Sequence, residues 1–237
     1  TNTHTPETVN VSGVKTWNDA NNQDGMRPAS ITINLLKDGK EIDEVTVTAN
    51  DNWSWEFKDL PKYENGKLIS YTITEDPVTN YTTEVDGYNV KNNHETEKVN
   101  IHGEKTWDDS KNQDGKRPVS IKINLLKNGT IIDTVTVTEA DNWSWDWTGL
   151  DKYEGGKLIT YTITEEEVEN YTTTYPANTF NVVNHYTPDK VTLNGTKTWQ
   201  DNNNQDGIRP VSITIHLFKN GTEIDKKVVT EDDKWTW

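Results

Sequence analysis

Two complete sets of three residues could form an amide bond inside this chain. In "VNVSGVKTW" the residues Val9, Val11, Gly13, Lys15 and Trp17 share one strand face, because successive side chains of a strand alternate. Lys105 shares a face with Val99, Ile101 and Trp107, and Lys197 with Val191, Leu193 and Trp199. Lysine on an apolar face is unexpected, since it is rarely buried unless paired. The same alternation turns Glu75 inward behind Tyr71 and Ile73, and Glu165 behind Tyr161 and Ile163. In the closing strands Asn92 follows Val90 and Asn184 follows Val182. Burying such groups separately would cost several kcal/mol, so each lysine, glutamate and asparagine is expected to meet.

Two outcomes fit that meeting. One is a buried Lys–Glu ion pair with a hydrogen-bonded asparagine. The other is covalent: an uncharged lysine amine attacks the asparagine carboxamide carbon and expels ammonia. Desolvation lowers the pKa of a lysine and raises that of a carboxylic acid, so both can be neutral in such a site. The acid can then polarise the amide carbonyl and carry the proton to the leaving nitrogen, while folding supplies proximity. The reaction would occur once per domain, as maturation and not turnover.

Stepping outward from these residues, the elements that hold them come in copies. Lys15, Lys105 and Lys197 are 90 and then 92 residues apart. "DNWSWEF" from Asp51, "DNWSWDW" from Asp141 and "DDKWTW" from Asp232 keep that register, as do "KYENGKLISYTITED" and "KYEGGKLITYTITEE". The two additional residues of the second copy fall between Thr173 and Phe180. We expect repeats at 7–95 and 96–187, the first half of a third at 188–237, and the tail of an earlier one at 1–6. Asn2 is level with Asn92 and Asn184, but neither it nor Lys197 has partners, so no bond is expected there. On this reading the chain is a piece of a longer array.

Each copy reads as strands. "SITINLLKDGKEIDEVTVT" is a hairpin turning at Asp38-Gly39, with counterparts at Asn128-Gly129 and Asn220-Gly221. "NWSWEF", "LISYTITE" and "YNVKN" follow, and no segment carries a helical period. About seven short strands per copy indicate an all-β fold of small β-sandwiches. The net charge of −15 argues against nucleic acid and against an anionic membrane surface. Cysteine is absent, which removes disulfides and thiolate metal sites, and the five histidines show no ligand spacing. No metal and no cofactor is expected.

"KTWNDANNQDGMRP", repeated from Lys105 and Lys197, looks like a calcium loop. With Gly25 as the sixth position of an EF-hand, the first position is Ala20 and the twelfth is Ile31. Ser110 replaces Ala20 in the second copy, and Ile121 and Ile213 replace Ile31 in the others. Isoleucine cannot ligate, so the stretch reads as a polar turn before Pro28. Trp53, Trp55 and Phe57 share a strand parity and read as core, not as sugar platforms. "EDP" and "EEEVE" read as solvated charge runs, so a hydrolase with paired carboxylates has little support.

"GVKTWNDANNQDGMRP", "WSWEFKDLPKY", "YTITED" and "VVNHYTP" resemble the B-type repeats of Gram-positive collagen adhesins, the Cna-B family, over essentially the whole chain. That resemblance implies tandem inverse-immunoglobulin-like, prealbumin-type sandwiches, each with a spontaneous Lys–Asn isopeptide bond assisted by an acidic residue. It implies the bonds Lys15–Asn92, with Glu75 as catalytic acid and base, and Lys105–Asn184, with Glu165. Asn93 is an alternative to Asn92, but His185 stands there in the second copy, and parity favours Asn92. It further implies a stalk of a cell-wall-anchored, secreted adhesin with neighbouring repeats as partners and a host ligand bound outside this chain. The rival reading is that the repeats themselves bind a host matrix protein or glycan.

Overall fold

The computed structural model describes residues 1–237. The chain divides into two compact units, Thr1–Lys111 with Lys116–Tyr186, and Asn112–Gly115 with Thr187–Trp237. The larger unit is built from two β-sandwiches. In the first, β1 (Thr8–Asn18), β2 (Ser30–Lys37), β3 (Lys40–Thr48) and β4 (Ser54–Pro61) are followed by the short ribbon β5 (Tyr63–Glu64) and β6 (Lys67–Leu68). Then come β7 (Tyr71–Glu75), β8 (Thr82–Asp86) and β9 (Asn89–Asn93). One sheet has the order β4-β1-β9-β8 and the facing sheet β3-β2-β7. This is an all-β sandwich, as the alternation predicts.

The second copy repeats the arrangement. β10 (Lys98–Asp108), β11 (Ser120–Lys127), β12 (Thr130–Thr138) and β13 (Ser144–Asp151) lead to β14 (Tyr153–Glu154) and β15 (Lys157–Leu158). β16 (Tyr161–Glu165), β17 (Thr172–Thr174) and β18 (Val182–His185) complete sheets of order β13-β10-β18-β17 and β12-β11-β16. The smaller unit contains the hairpin β19 (Ser212–Lys219) and β20 (Thr222–Thr230).

Local chemistry explains these elements. Asp38 and Gly39 both have positive φ, 49° and 83°, which is the backbone of a type I′ hairpin turn. β2 buries Ile31, Ile33 and Leu35 on one face, and these meet Val11, Phe57 and Val90 between the sheets. Gly13 is required by close approach: a Cβ there would lie 1.7 Å from the Tyr88 carbonyl oxygen. β1 and β9 are parallel hydrogen-bonded neighbours, with Lys15 opposite Val90 and Trp17 opposite Asn92. The chain therefore enters β1 and leaves β9 at opposite ends of one sheet.

Three expectations need correction. Trp53 precedes β4 and has a left-handed φ of 54°, so it reaches the core from the turn and not by strand alternation with Trp55. "LISYTITE" is broken: Leu68 belongs to the ribbon and the sheet strand starts at Tyr71. The stretch before Lys197 forms no strand beyond a bridge from Thr196 to Thr236, and Val191 and Leu193 are exposed. β8 was not legible because every residue of this edge strand is exposed, leaving no alternation to read.

Candidate functional site

Each sandwich brings its lysine, glutamate and asparagine to one interior point. β1 supplies Lys15, the facing sheet supplies Glu75 through β7, and β9 supplies Asn92. The Lys15 Nζ donates to Glu75 Oε1 at 2.6 Å, and neither side chain is exposed at all. Lys15 opposes Val90, two residues before Asn92, so the lysine and asparagine are diagonal neighbours on one sheet face. Asn92 is completely buried, and neither its amide nitrogen nor its oxygen has a hydrogen-bond partner. Asn93 lies on the other face, where its Oδ1 accepts from the Asn18 side chain at 2.9 Å.

The second sandwich repeats this. Lys105 Nζ donates to Glu165 Oε1 with both side chains fully buried, and Asn184 is buried with both amide atoms unpartnered. Burial pushes the Lys15 ammonium below its ordinary range, against the opposing pull of Glu75. The same cause brings Lys105 down to about 8, again opposed by its glutamate. An aromatic wall excludes water: Lys15 Nζ lies 4.5 Å from the Trp17 ring, which meets Trp53 and Tyr81 edge-on at 5.2 and 5.1 Å.

Lys197 isolates what the local motif contributes. Its backbone N–H donates to the Trp235 carbonyl at 2.9 Å, as Lys15 does to Trp53 and Lys105 to Trp143. Its Nζ lies 4.9 Å from the Trp199 ring, yet the residue is exposed. The motif sets the turn and the cation–π contact; the strands carrying Glu and Asn impose the burial. Asn2 is exposed.

The polar stretch after the lysine is more than a turn. Arg27 forks onto Asp19 through Nε at 3.0 Å and Nη2 at 2.7 Å. The Tyr81 hydroxyl donates to the same carboxylate at 2.9 Å and the Asn22 N–H at 2.9 Å. Asp19 is fully buried and Arg27 packs against Trp17, so this cluster braces the aromatic wall of the lysine pocket. An Asp and an Arg eight residues apart recur in all three copies, a signal present in the sequence and missed there.

Gln23, Asp24 and Gly25 of the same loop touch the second sandwich. Asp24, also buried, accepts from the Glu97 N–H at 2.7 Å, and Gly156 N–H donates to the Gln23 carbonyl at 2.9 Å. In the smaller unit Asp114 likewise accepts from the Asp189 N–H at 2.9 Å. His94 places Nε2 2.9 Å from Asp24 and Nδ1 2.9 Å from the Asn80 carbonyl. Both partners are acceptors, so the doubly protonated ring satisfies both. Burial alone would lower the His94 pKa, but Asp24 and the Asn80 carbonyl outweigh it and hold it above 6.5. Its contribution to stability is therefore complete below 6.5 and is lost as pH rises through the raised value. Asp24→Asn is expected to shift the His94 ring titration to lower pH, as read by NMR; an unmoved titration would discount this contact.

The tryptophans serve the core. Trp55, Trp145 and Trp147 are buried in the two sandwiches, and Trp235 is buried in the smaller unit.

Comparison with known proteins agrees with this architecture. The family described as Cna protein B-type domain matches residues 11–93, 101–185 and 193–237. A collagen adhesin of Staphylococcus aureus is 42% identical over 242 residues, an alignment covering 100% of this chain and 20% of the adhesin. The chain thus spans about a fifth of that relative's length. A solved structure of two B repeat units of the S. aureus collagen binding protein has a TM-score of 0.57 at 41% identity. That match covers 98% of this chain and 63% of the other. A single B repeat unit of the same protein is 42% identical, covering 77% of this chain and 100% of its own, with a TM-score of 0.38.

Proposed function

Since the chain belongs to the Cna protein B-type domain family, we propose that its repeats are spacer modules of a surface adhesin, each complete sandwich sealed by a lysine–asparagine amide bond. The observation that carries the bond is the twice-repeated buried site, in which an asparagine amide has no hydrogen-bond partner beside a desolvated lysine. An unpartnered buried amide costs about 1–3 kcal/mol per group. Expelling its NH₂ as ammonia removes one of those unmet groups.

The step balances with the residues present. Glu75 takes a proton from Lys15 along their 2.6 Å hydrogen bond, leaving a neutral amine and a neutral acid. The Nζ lone pair attacks Asn92 Cγ while the acid hydrogen-bonds the developing oxyanion. Glu75 then delivers its proton to the departing nitrogen and, as a carboxylate again, takes the second Nζ proton. The C–N bond of the carboxamide breaks, ammonia leaves, and the new C–N bond is an amide. Lys105, Glu165 and Asn184 do the same. Each site reacts once, so this is maturation.

The topology gives the bond a mechanical role. Because β1 and β9 are parallel neighbours entered and left at opposite ends, tension on the chain shears their ladder. A bond from Lys15 to Asn92 carries that tension directly across and leaves the 76 residues between them unloaded. Such modules suit a secreted, cell-wall-anchored stalk of a Gram-positive bacterium. On this reading the matrix ligand is bound by another region of the parent protein, and the repeats contact one another.

Intact mass of the denatured chain is the test. The expected value is two ammonia molecules below the sequence mass, one per complete sandwich. A mass equal to the sequence would reject the cross-links. Saturable binding of the repeats alone to collagen or another matrix protein would reject the spacer role.

A further inference from the structure

Glu75 uses only one oxygen toward Lys15. The other, Oε2, accepts a hydrogen bond from the Thr83 hydroxyl at 2.8 Å. Thr83 lies on the edge strand β8 and is the register partner of Asn92 on β9. In the second sandwich the Thr173 hydroxyl donates to Glu165 Oε2 at 2.9 Å, and Thr173 is the register partner of Asn184. One cross-strand pair therefore presents the asparagine and grips the glutamate reaching over from the facing sheet, and it does so in both copies.

We propose that Thr83 and Thr173 are positioning residues for amide formation, fixing which carboxyl oxygen handles the proton. This rests on the cross-link reading given above. A carboxyl can rotate and can carry its proton on either oxygen. With Oε2 held by a hydroxyl, the proton taken from lysine resides on Oε1, the oxygen already aimed at the reacting nitrogen. The same proton is then in place to be passed to the leaving group without a carboxyl flip. The threonine also stands between the site and solvent: Thr83 is exposed while Glu75 is fully buried, so its hydroxyl closes the open side of the pocket. No bond to threonine forms or breaks, and the balance of the reaction is unchanged.

Two features make the test clean. Valine is nearly isosteric with threonine, so Thr83→Val removes the hydroxyl and keeps the shape. The second sandwich in the same chain reports independently. Without the hydroxyl on Oε2 the carboxyl is free to rotate or to hold its proton on the wrong oxygen, and loss of that positioning predicts about tenfold slower amide formation. Full-length Thr83→Val, freshly synthesised and sampled over time by intact mass, is expected to lose its first ammonia at the parent rate and its second about tenfold later. Tryptic mapping should place the slow event at Lys15–Asn92. Thr83→Ser should restore the parent rate, which a purely steric role of the methyl group would not predict.

Thr83→Val with both ammonia losses at the parent rate would overturn the proposal. So would a slow Thr83→Val that serine fails to rescue. If Thr83→Val does not fold, Thr173→Val and Thr173→Ser carry the same comparison in the other sandwich. A parent chain that retains its full sequence mass would overturn the cross-link itself, and with it this inference; a cross-linked parent with an unaffected valine variant would overturn only the threonine role.

Discussion

Glu165→Ala is expected to leave the chain with a single ammonia deficit and a second sandwich that unfolds far more easily than the first. Two losses coincide in that variant. The amide at Lys105 does not form, which forfeits the loop-closure term of about 4 to 5 kcal/mol for a ring of this length. Lys105 is also left buried without its partner, a change that costs about 3–5 kcal/mol when the orphaned group stays charged. Against a domain stability of about 5–15 kcal/mol, either is large. The two do not simply add, because an unpaired lysine can shed its proton.

That escape has a signature in pH. With Glu165 present, burial already brings Lys105 to about 8 from an ordinary 10.5, and the glutamate opposes the fall. Removing the glutamate moves the value lower still. Between the folded and unfolded values the unfolded chain binds more protons, so stability of the variant rises with pH through that window. A cross-linked parent has no amine at this position and contributes no such slope. Urea midpoints across the pH range, read together with the intact mass, check both halves. A variant that keeps two ammonia losses and shows no slope would reject the role of Glu165.

Asp19→Ala is the second large effect, expected to cost about 3–5 kcal/mol in the first sandwich. It strips the Arg27 fork of both acceptors, and leaves the Tyr81 hydroxyl and Asn22 N–H without theirs. Arg27 and Tyr81 also flank Trp17, so the wall around Lys15 loosens with them. Burial alone would raise the Asp19 pKa, but Arg27, the Asn22 N–H and Tyr81 hold it below 3.8. The stability this supplies is present above that ordinary value and is lost as pH falls through the folded one. The parent should therefore lose stability in acid more steeply than Asp19→Asn, which starts weaker and titrates less. Equal acid limbs in urea unfolding would discount the cluster.

These residues mark the boundary of what sequence alone conveyed. Strand parity located Lys15, Glu75 and Asn92 correctly on interior faces, because a half-buried strand writes its orientation into every second residue. The hairpin turns were equally plain, since few residues other than Asp, Asn and Gly accept two successive positive φ angles. Parity failed where burial does not alternate: β8 is exposed throughout, so Thr83 gave no sign of touching Glu75. Trp53 enters the core through a left-handed turn that a strand template cannot represent. The Asn- and Asp-bearing loop resembles a metal template, which is built from oxygens close in sequence. Its actual partners are a guanidinium eight residues on, a tyrosine in the next-to-last loop, and the backbone of the following sandwich. Only the first of these lies within local reach in the sequence.

The meeting of Gly25 and Gly156 has one further consequence. A Cβ on Gly25 would stand 2.5 Å from the Gly156 Cα, and both glycines have positive φ, so a side chain at either is strained. The counterpart of Gly156 in the first sandwich is Gly66, where an added Cβ would meet nothing within 4 Å. One module therefore carries two unlike patches, a loop at one end and a glycine turn at the other. In symmetry terms this contact is heterologous: two copies cannot satisfy both patches of each other by a simple twofold. Heterologous contacts that do not close into a ring propagate. Copying the gene segment thus copies both halves of such a joint at once.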